Sequence, residues 1–220
     1  QYPDNTEVVY SNFTPRSMVH FKVPDEYKPK GIVWVGLQGF LQTFTHIWKT
    51  TFFDRSEDEV VREFAEFCTP FCGPNGFNTS RLRELHRLGY LPLVIKALPE
   101  GSIVPIGVPP LTVRNTNPRF GWLTNSVETW LSTDLWKTCT SATIAYTYRK
   151  ILAKYVELTG GSSDFSNWQI HDFSMRGMSG VEDAAKSGFG HLLSSLGTDN
   201  LAAVKYANDC YRGKETFVGG

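Results

Sequence analysis

The stretch QIHDFSMRGMSGVEDAAKSGFGHLL, residues 169–193, contains a strand, a turn and a helix in direct succession. Its opening QIHDF is short, with apolar residues at Ile170 and Phe173, and is interpreted as a strand. The apolar residues from Val181 onward recur at helical spacing and predict a helix. A second predicted helix, NLAAVKYANDCY at residues 200–211, follows. This alternation indicates an α/β fold for residues 161–220, although it supplies too few units to close a barrel.

Residues 1–160 have a different pattern, which predicts a mixed α+β domain. Strands are predicted at residues 7–13 and 17–23, because both runs are short and rich in β-branched and aromatic residues. A further strand from Gly31 changes to a helical pattern near Val35.

Capping and turn residues predict the elements that come next. Ser56 and Glu59 form a capping box that opens a helix, and Gly89 ends another helix at residues 80–88. The segment 91–118 has six prolines and no helical period, so it predicts strands joined by tight turns.

The helical pattern returns in two stretches from Trp122 to Gly160, and SSDFSN at residues 162–167 is interpreted as a linker. The sequence therefore predicts two domains, residues 1–160 and residues 161–220. The residue pattern leaves open whether the second part packs as an appendage or begins a larger domain.

The composition limits the classes of partner. Lys plus Arg number 22 and Asp plus Glu number 22, so the formal net charge is zero. No overall field attracts nucleic acid or an anionic membrane, and no apolar run is long enough to span a bilayer. The four cysteines have neither redox-pair nor zinc-site spacing, which favours free thiols in a reducing compartment. We expect a cytoplasmic protein with no nucleic-acid partner and no membrane contact.

Three residues could together bind a ligand that has a flat ring and a phosphate. Phe173 lies at the carboxyl end of a predicted strand, where α/β proteins place ligands, although a core phenylalanine is the simpler interpretation. Arg176 has no carboxylate near it in sequence and suits a phosphate, but a solvated surface arginine fits equally well. Asp199 could cap the following helix, or could accept a hydrogen bond from a ligand N–H.

Metal binding is not favoured by the residue pattern. Side chains alternate along a strand, so His171 and Asp172 point to opposite faces and cannot easily share one metal ion. His191 lies in the middle of a predicted helix, where a packed histidine is more common than a base. We expect no protein metal site.

Several segments resemble the nicotinamide phosphoribosyltransferase family. The motif HDFSMRG at residues 171–177, followed by GTD at 197–199, carries the strongest resemblance. The similarity extends in order over essentially the whole chain. The other matching segments are QYPDNTEVVYSNFTPR, WVGLQGFL, VIKALPEGSIVPIG, TVRNTNP, WLTNSVET and ILAKYVELTGG.

The resemblance implies a reaction and an architecture. The reaction is transfer of a phosphoribosyl group from phosphoribosyl pyrophosphate to nicotinamide, which gives nicotinamide mononucleotide in NAD salvage. The architecture is an α+β domain followed by an irregular α/β barrel, assembled as a homodimer with its active sites at the interface. The resemblance also implies Mg²⁺ with the pyrophosphate and ATP as a coupled activator.

The same resemblance implies roles for individual residues. Phe173 would stack on the nicotinamide ring, Arg176 would bind the ribose 5-phosphate, and Asp199 would hold the carboxamide. Arg16 resembles an arginine that reaches the pyrophosphate side of a neighbouring subunit's site. Asp199 favours nicotinamide over nicotinate, because a carboxylate accepts from an amide N–H but repels another carboxylate.

This sequence departs from the family pattern in two respects. Ser174 and Met175 stand where most members have Gly and Tyr. The family's chain continues past Gly220, and its phosphorylated histidine lies there, so no catalytic residue is assigned. We expect the chain to be the N-terminal half of such an enzyme. The alternatives are a nicotinate phosphoribosyltransferase, or a non-catalytic half-protein that dimerises or binds a nucleotide.

Overall fold

The computed structural model of the chain describes residues 2–3 and 5–211. Helices predominate and the strands are short, which confirms a mixed α/β fold, while the barrel remains a prediction. The helices are α1 Leu37–Trp48, α2 Glu57–Cys72, α3 Ser80–Leu88, α4 Gly121–Thr159, α5 Ser163–Gln169, α6 Val181–Leu192 and α7 Leu201–Tyr211. The strands are β1 Tyr10–Phe13, β2 Ile32–Val33, β3 Leu93–Ala97, β4 Ile103–Val104, β5 Leu111–Asn115, β6 His171–Asp172 and β7 Gly197–Thr198.

The chain divides into two compact units, and three separate segments of sequence form each unit. The predicted domains 1–160 and 161–220 are defined along the sequence, and that division remains a prediction. Residues 1, 4 and 212–220 of those ranges lie outside the described residues. The first unit comprises Gln1–Ser11, Leu41–Ile95 and Val113–Glu128; the second comprises Asn12–Phe40, Lys96–Thr112 and Thr129–Gly220.

Local capping defines the helices of the first unit. The Ser56 Oγ accepts a hydrogen bond from the Glu59 N–H at 3.3 Å, so the predicted cap opens α2. Gly89 ends α3 with a φ of 77°, a left-handed conformation that glycine adopts without strain. Pro70 does not break α2 as its type suggests, since the helix continues to Cys72.

The core of the first unit is an apolar cluster. Residues of α2, α3 and the start of α4 contribute to it, together with an aromatic residue after α1. Trp48 and Phe52 pack edge-to-face there, with ring centroids 5.3 Å apart. The fully buried members of the cluster are Phe52, Val60, Val61, Leu85, Phe120 and Leu123.

The proline-rich segment forms strands, as predicted. β1, β5 and β3 form one sheet in the order β1-β5-β3. β2 pairs antiparallel with β4, with Ile32 opposite Val104. The close approach of this pair leaves no room for a side chain at Gly31, because a Cβ there would meet the Val104 carbonyl oxygen at 1.9 Å.

The core of the second unit is an apolar cluster of residues from β2, the segment just after it, α4, α6 and α7. Val33, Val35, Ala142, Phe189 and Ala207 form its buried cluster. The Val33 N–H donates to the Thr143 Oγ1 at 2.9 Å, and the Cys139 Sγ lies 3.2 Å from the Val35 carbonyl oxygen. Burial raises the pKa of the Cys139 thiol to about 12, so this cysteine stays protonated.

A carboxylate caps the N-terminus of α1 in the same unit. The two Glu100 carboxylate oxygens accept from the N–H groups of Gly36 and Gln38, at 3.0 and 2.7 Å. The Tyr211 hydroxyl donates to Glu100 at 3.1 Å and accepts from the Gly39 N–H at 3.2 Å. The N–H groups at this helix end are therefore occupied by the protein's own side chains.

Three sequence predictions for local structure are wrong. Residues 17–23 are not a strand, because Val19 N–H bonds to Ser17 Oγ and Phe21 N–H to Met18 O, which closes local turns instead. Residues 162–167 are not a linker, since Ser162 caps α5 by accepting from the Phe165 N–H. The two predicted helices between Trp122 and Gly160 form the single 39-residue helix α4.

All four cysteines are free thiols, as the sequence predicts. Among the described residues no helix combines the length and the apolar character needed to cross a bilayer. This includes α4, whose 39 residues carry charged groups throughout.

An ion cluster joins α2 to α3. Glu57, in the first turn of α2, accepts from Arg83 at 2.9 Å and from Arg87 at 2.8 Å. Hydrogen bonds from Arg87 and then Arg83 lower the pKa of Glu57 from 4.5 to about 2. The folded form therefore holds this carboxylate ionised where the unfolded chain protonates it.

We predict that Glu57→Gln flattens the acid dependence of stability. A lowered folded-state pKa adds stability above pH 4.5, and this contribution is lost as the pH falls toward about 2. The thermal midpoint of the wild-type chain should fall across this window, and that of the variant should fall less. Circular dichroism melts measure both. Glu66→Gln is the control, since Glu66 is exposed on α2 and forms no salt bridge with the described residues. Equal slopes for all three proteins would contradict the prediction.

Candidate functional site

Parallel pairing of β6 and β7 brings two predicted site residues together. His171 lies opposite Gly197, and Asp172 lies opposite Thr198. Phe173 and Asp199 follow these strands directly, so both lie at the carboxyl edge of the pair. The Asp199 N–H donates to the Asp172 carbonyl oxygen at 3.1 Å, which extends the strand contact to this position.

A buried polar network next to β6 and β7 stabilises the carboxyl edge of the strand pair. Asp172 is 7% exposed, and its Oδ1 accepts from the Ser174 N–H at 2.9 Å. Its Oδ2 lies 3.4 Å from the Nδ2 of Asn200, which is fully buried and also donates to the Ala184 carbonyl oxygen at 2.8 Å. Buried polar groups that are paired in this way fix the backbone on both sides of them.

The helix cap after β7 is Asn200. The Ala203 N–H donates to the Asn200 Oδ1 at 3.2 Å, in the position that an N-cap requires. The sequence analysis offered Asp199 as a possible cap, and that alternative is wrong. Thr198 accepts from the Asn200 N–H at 2.9 Å, and Asp199 is exposed with its Oδ1 2.8 Å from the His171 Nε2.

Phe173 and Asp199 both contact His171. The imidazole of His171 packs on the Phe173 ring, with centroids 4.5 Å apart and planes at 33°. The His171 Nε2 lies 2.8 Å from the Asp199 Oδ1. His171 and Phe173 share a face because they are two residues apart along an extended chain. The sequence analysis used this alternation only against a metal site and missed His171 as a member of the cluster.

A cavity of about 520 Å³ opens beside this cluster. His171, Phe173 and Ser174 line one side, and Ile144 and Tyr148 of α4 line another. This volume lies within the range of small-ligand sites, and its lining combines apolar surface with a few polar groups. Its remaining lining residues are Lys137, Thr140, Ser141, Ala145, Ile170, Asp172, Gly177, Met178, Ser187 and His191.

His191 contributes to the wall as a packed histidine. Its Nε2 lies 3.0 Å from the Gly197 carbonyl oxygen, which is at the start of β7. His191 lies in the last turn of α6 and not in the middle of a helix as predicted, and this contact ties the end of α6 to the strand.

Arg176 is exposed on the loop that connects β6 to α6. It belongs to the 3-10 turn Ser174–Gly177, and it forms no salt bridge with any of the described residues. Arg176 does not line the cavity, so the structure places it on the adjacent surface. A guanidinium without a carboxylate partner is available to an anionic group from outside.

The far end of this loop is fixed by a carboxylate. The Asp183 Oδ2 accepts from the Ser179 N–H at 2.9 Å and pairs with the Lys137 Nζ at 2.5 Å. The hydrogen bond from Lys137, and to a smaller extent that from the Ser179 N–H, lowers the pKa of Asp183. Asp172 at one end and Asp183 at the other therefore hold the turn that carries Phe173 and Arg176.

Arg16 is not brought to this cluster. It is exposed in the segment after β1 and is not one of the cavity residues. The neighbouring Pro15 carbonyl oxygen accepts from the Gly107 N–H at 2.9 Å, which fixes the backbone there. Its predicted role concerns a neighbouring subunit and remains a prediction.

Within the described residues, His, Cys, Asp and Glu do not gather into a group of three or more that could hold a metal ion. His171 and Asp172 bind different partners, as the alternation of side chains predicts, since the buried Asp172 carboxylate contacts Ser174 and Asn200 whereas the His171 imidazole contacts Phe173 and Asp199.

Comparison with known proteins gives the chain clear relatives. It is 48% identical over 212 residues to the nicotinamide phosphoribosyltransferase of Acinetobacter baylyi, which is 96% of this chain and 42% of that protein. The enzyme of the same name from Mycoplasma genitalium is 30% identical over 213 residues, 91% of this chain and 46% of that protein. The chain belongs to the nicotinamide phosphoribosyltransferase family.

The curated relatives are longer than this chain, and a solved structure has a similar fold. The chain spans less than half the length of these two curated relatives. No family model matches it. The fold is similar to that of human nicotinic acid phosphoribosyltransferase, with a TM-score of 0.57 at 17% identity, over 91% of this chain and 33% of that one.

We predict that Gly188→Ala weakens the support of the site. A Cβ at Gly188 of α6 would meet the Asn200 Nδ2 at 2.5 Å, the Ala203 Cβ at 2.6 Å and the Asp172 Oδ2 at 2.8 Å. We expect a loss of about 1–3 kcal/mol in the free energy of unfolding, measured by urea denaturation.

The matched control for this prediction is Gly177→Ala, because a Cβ there meets nothing within 4 Å. Similar stability losses in the two variants would show that helix or loop propensity, and not the contact with Asp172 and Asn200, determines the effect.

Proposed function

We propose that the chain forms the base-binding part of an enzyme that transfers a phosphoribosyl group from phosphoribosyl pyrophosphate to nicotinamide. The products are nicotinamide mononucleotide and pyrophosphate, a step of NAD salvage. Two findings support the proposal. The chain's relatives carry this activity in their names, and Phe173 and Asp199 both contact His171, which lines one cavity together with Phe173.

Phe173 is the proposed stacking surface for the pyridine ring. Its side chain is 61% exposed although it is a large aromatic residue at the end of a buried strand. One side of the ring is covered by His171, so a flat ligand can pack on what remains open. Offset stacking of two rings adds to the free energy gained from burying their area.

Asp199 is the proposed acceptor for the carboxamide N–H. Its side chain is 64% exposed, and its Oδ1 is already engaged by His171. The Oδ2 is therefore the oxygen available to a ligand. A carboxylate in this position accepts from the amide of nicotinamide and repels the carboxylate of nicotinate, which selects between the two bases.

Arg176 is the proposed ligand of the 5-phosphate of the ribose. The guanidinium lies three residues from Phe173 on a turn that is held at both ends, and it has no carboxylate partner among the described residues. Base and phosphate contacts on one short turn would set the distance between the two ends of the bound mononucleotide.

The chemistry requires mainly positioning. The lone pair of the pyridine nitrogen forms a bond to C1 of the ribose, while the bond from C1 to the pyrophosphate oxygen breaks and the electron pair leaves with pyrophosphate. Phe173 and Asp199 would fix the direction of the nitrogen, which is worth several kcal/mol in oriented reactions. Mg²⁺ would enter with the pyrophosphate and stabilise its charge, and ATP would act as the coupled activator.

The assembly and location are also part of the proposal. We infer a cytoplasmic homodimer, in which Arg16 of one subunit reaches toward the pyrophosphate side of the other subunit's site. The exposed position of Arg16 is compatible with a partner contact.

We predict that Asp199→Ser, introduced in the complete natural protein, reduces the preference for nicotinamide over nicotinate. Loss of a charged hydrogen-bond acceptor should raise the KM for nicotinamide by about 10- to 100-fold. Use of nicotinate should improve, because the repulsion is removed. Steady-state assays with each base measure the ratio.

Asp209→Ser is the matched control, since the one salt bridge that Asp209 forms with described residues is an exposed pair with Lys205 on α7. If the wild-type protein uses nicotinate as efficiently as nicotinamide, the proposed role of Asp199 is wrong. If it makes no mononucleotide from either base, the enzymatic proposal itself fails, and the non-catalytic alternative gains support.

We predict the complementary effect for Arg176→Gln. The KM for phosphoribosyl pyrophosphate should rise by about tenfold or more, because a charge-assisted phosphate contact is lost. The ratio of nicotinamide to nicotinate use should stay unchanged. Arg62→Gln, an exposed arginine of α2, is the control. A change in base preference with an unchanged KM for the phosphate substrate would contradict the assignment.

A further inference from the structure

His171 is the one residue of the cluster that contacts both proposed specificity groups. It touches Phe173 through its ring and Asp199 through its Nε2, at a centroid distance of 4.5 Å and an N–O distance of 2.8 Å. Its side chain is 28% exposed, so it is more enclosed than either partner. An enclosed side chain has fewer accessible rotamers than an exposed one. His171 therefore limits the positions that Phe173 and Asp199 can take.

The hydrogen bond has a consequence for the Asp199 carboxylate. Asp199 extends from the strand edge with 64% of its side chain exposed, and packing alone does not fix its rotamer. A donor at Oδ1 holds the plane of the carboxylate and leaves the Oδ2 as the free acceptor. An oriented acceptor loses less conformational entropy when a ligand binds than a freely rotating one.

The ring contact has a second consequence. The imidazole covers part of Phe173, whose ring is otherwise exposed at the rim of the cavity. This contact restricts the side-chain rotation of Phe173, so the surface available for stacking keeps one orientation. The same residue thus determines the direction of both contacts with the base.

The backbone fixes His171 itself. It lies in β6, paired with Gly197, and a Cβ on Gly197 would approach the His171 Nδ1 to 2.9 Å. The absence of a side chain at Gly197 therefore leaves room for the imidazole. The buried neighbours Asp172 and Asn200 hold the strands on either side.

We propose that His171 is a positioning residue for the base. It orients the Asp199 carboxylate through Nε2 and the Phe173 ring through its imidazole face, and so aligns amide recognition with ring stacking. This inference rests on the proposed function, because it assigns the base contacts to Phe173 and Asp199.

Two substitutions separate the contacts of His171. His171→Phe retains a ring against Phe173 but removes the donor to Asp199, whereas His171→Gln retains an N–H donor of similar reach and removes the ring. Both are made in the complete natural protein and compared with His46→Phe, since His46 is exposed on α1. The measurements are the KM values for nicotinamide, nicotinate and phosphoribosyl pyrophosphate, kcat, and the thermal midpoint.

We expect His171→Phe to raise the KM for nicotinamide by about tenfold, the effect of losing one hydrogen bond to a charged group. The preference of this variant for nicotinamide over nicotinate should also fall. The KM for phosphoribosyl pyrophosphate should not change, and kcat should change far less than the KM, because the amide contact is the same before and during reaction. His171→Gln should keep the preference for nicotinamide and lose part of the affinity for both bases.

Other outcomes overturn the inference. Variants that match wild type in all constants would show that His171 positions nothing. An equal rise in every KM with a lower thermal midpoint would show a structural role only. Tighter nicotinamide binding by His171→Phe would show that the imidazole competes with the base. If wild-type protein does not use nicotinamide, the proposed function fails first, and this inference with it.

Discussion

The parallel pairing of β6 with β7 is the constraint on which the candidate site depends. The two strands are only two residues long each, so backbone hydrogen bonds alone would hold them weakly. The buried Asp172 and Asn200 reinforce the pair, since their side chains link β6, the turn after it, α6 and the cap of α7. The register of the strand pair and this network together place Phe173 and Asp199 at one edge, where each contacts His171.

Local signals predicted much of the fold. The capping box at Ser56, the glycine stop at Gly89 and the proline-rich strands depend on residues near one another in sequence, and each is present as predicted. The errors at 17–23 and 162–167 also have a local cause. Serine side chains there bond to nearby backbone N–H groups, and this changed a predicted strand into turns and a predicted linker into a capped helix.

The site was predictable in its residues but not in its arrangement. The sequence singled out Phe173, Arg176 and Asp199, but no periodicity shows that Gly197 and Thr198 pair in register with His171 and Asp172. His171 was therefore missed, because its importance comes from Asp199 across the strand pair. Arg176 was singled out for its chemistry, and its position on the adjacent surface depends on how the turn is tied to Asp183.

The occupied N-terminus of α1 affects how anions can bind in the second unit. Helix N-termini are common phosphate sites, because their free N–H groups point at the ligand and the helix dipole favours negative charge. Glu100 fills that position in α1. Within the described part of the chain no side chain caps the N-terminus of α6, but Asp183 in its first turn places a negative charge there. The proposed phosphate contact is instead the exposed guanidinium of Arg176, whose attraction is screened by ions within about 10 Å in ordinary buffers. Affinity for the sugar phosphate should therefore follow ionic strength, while affinity for the uncharged base should not.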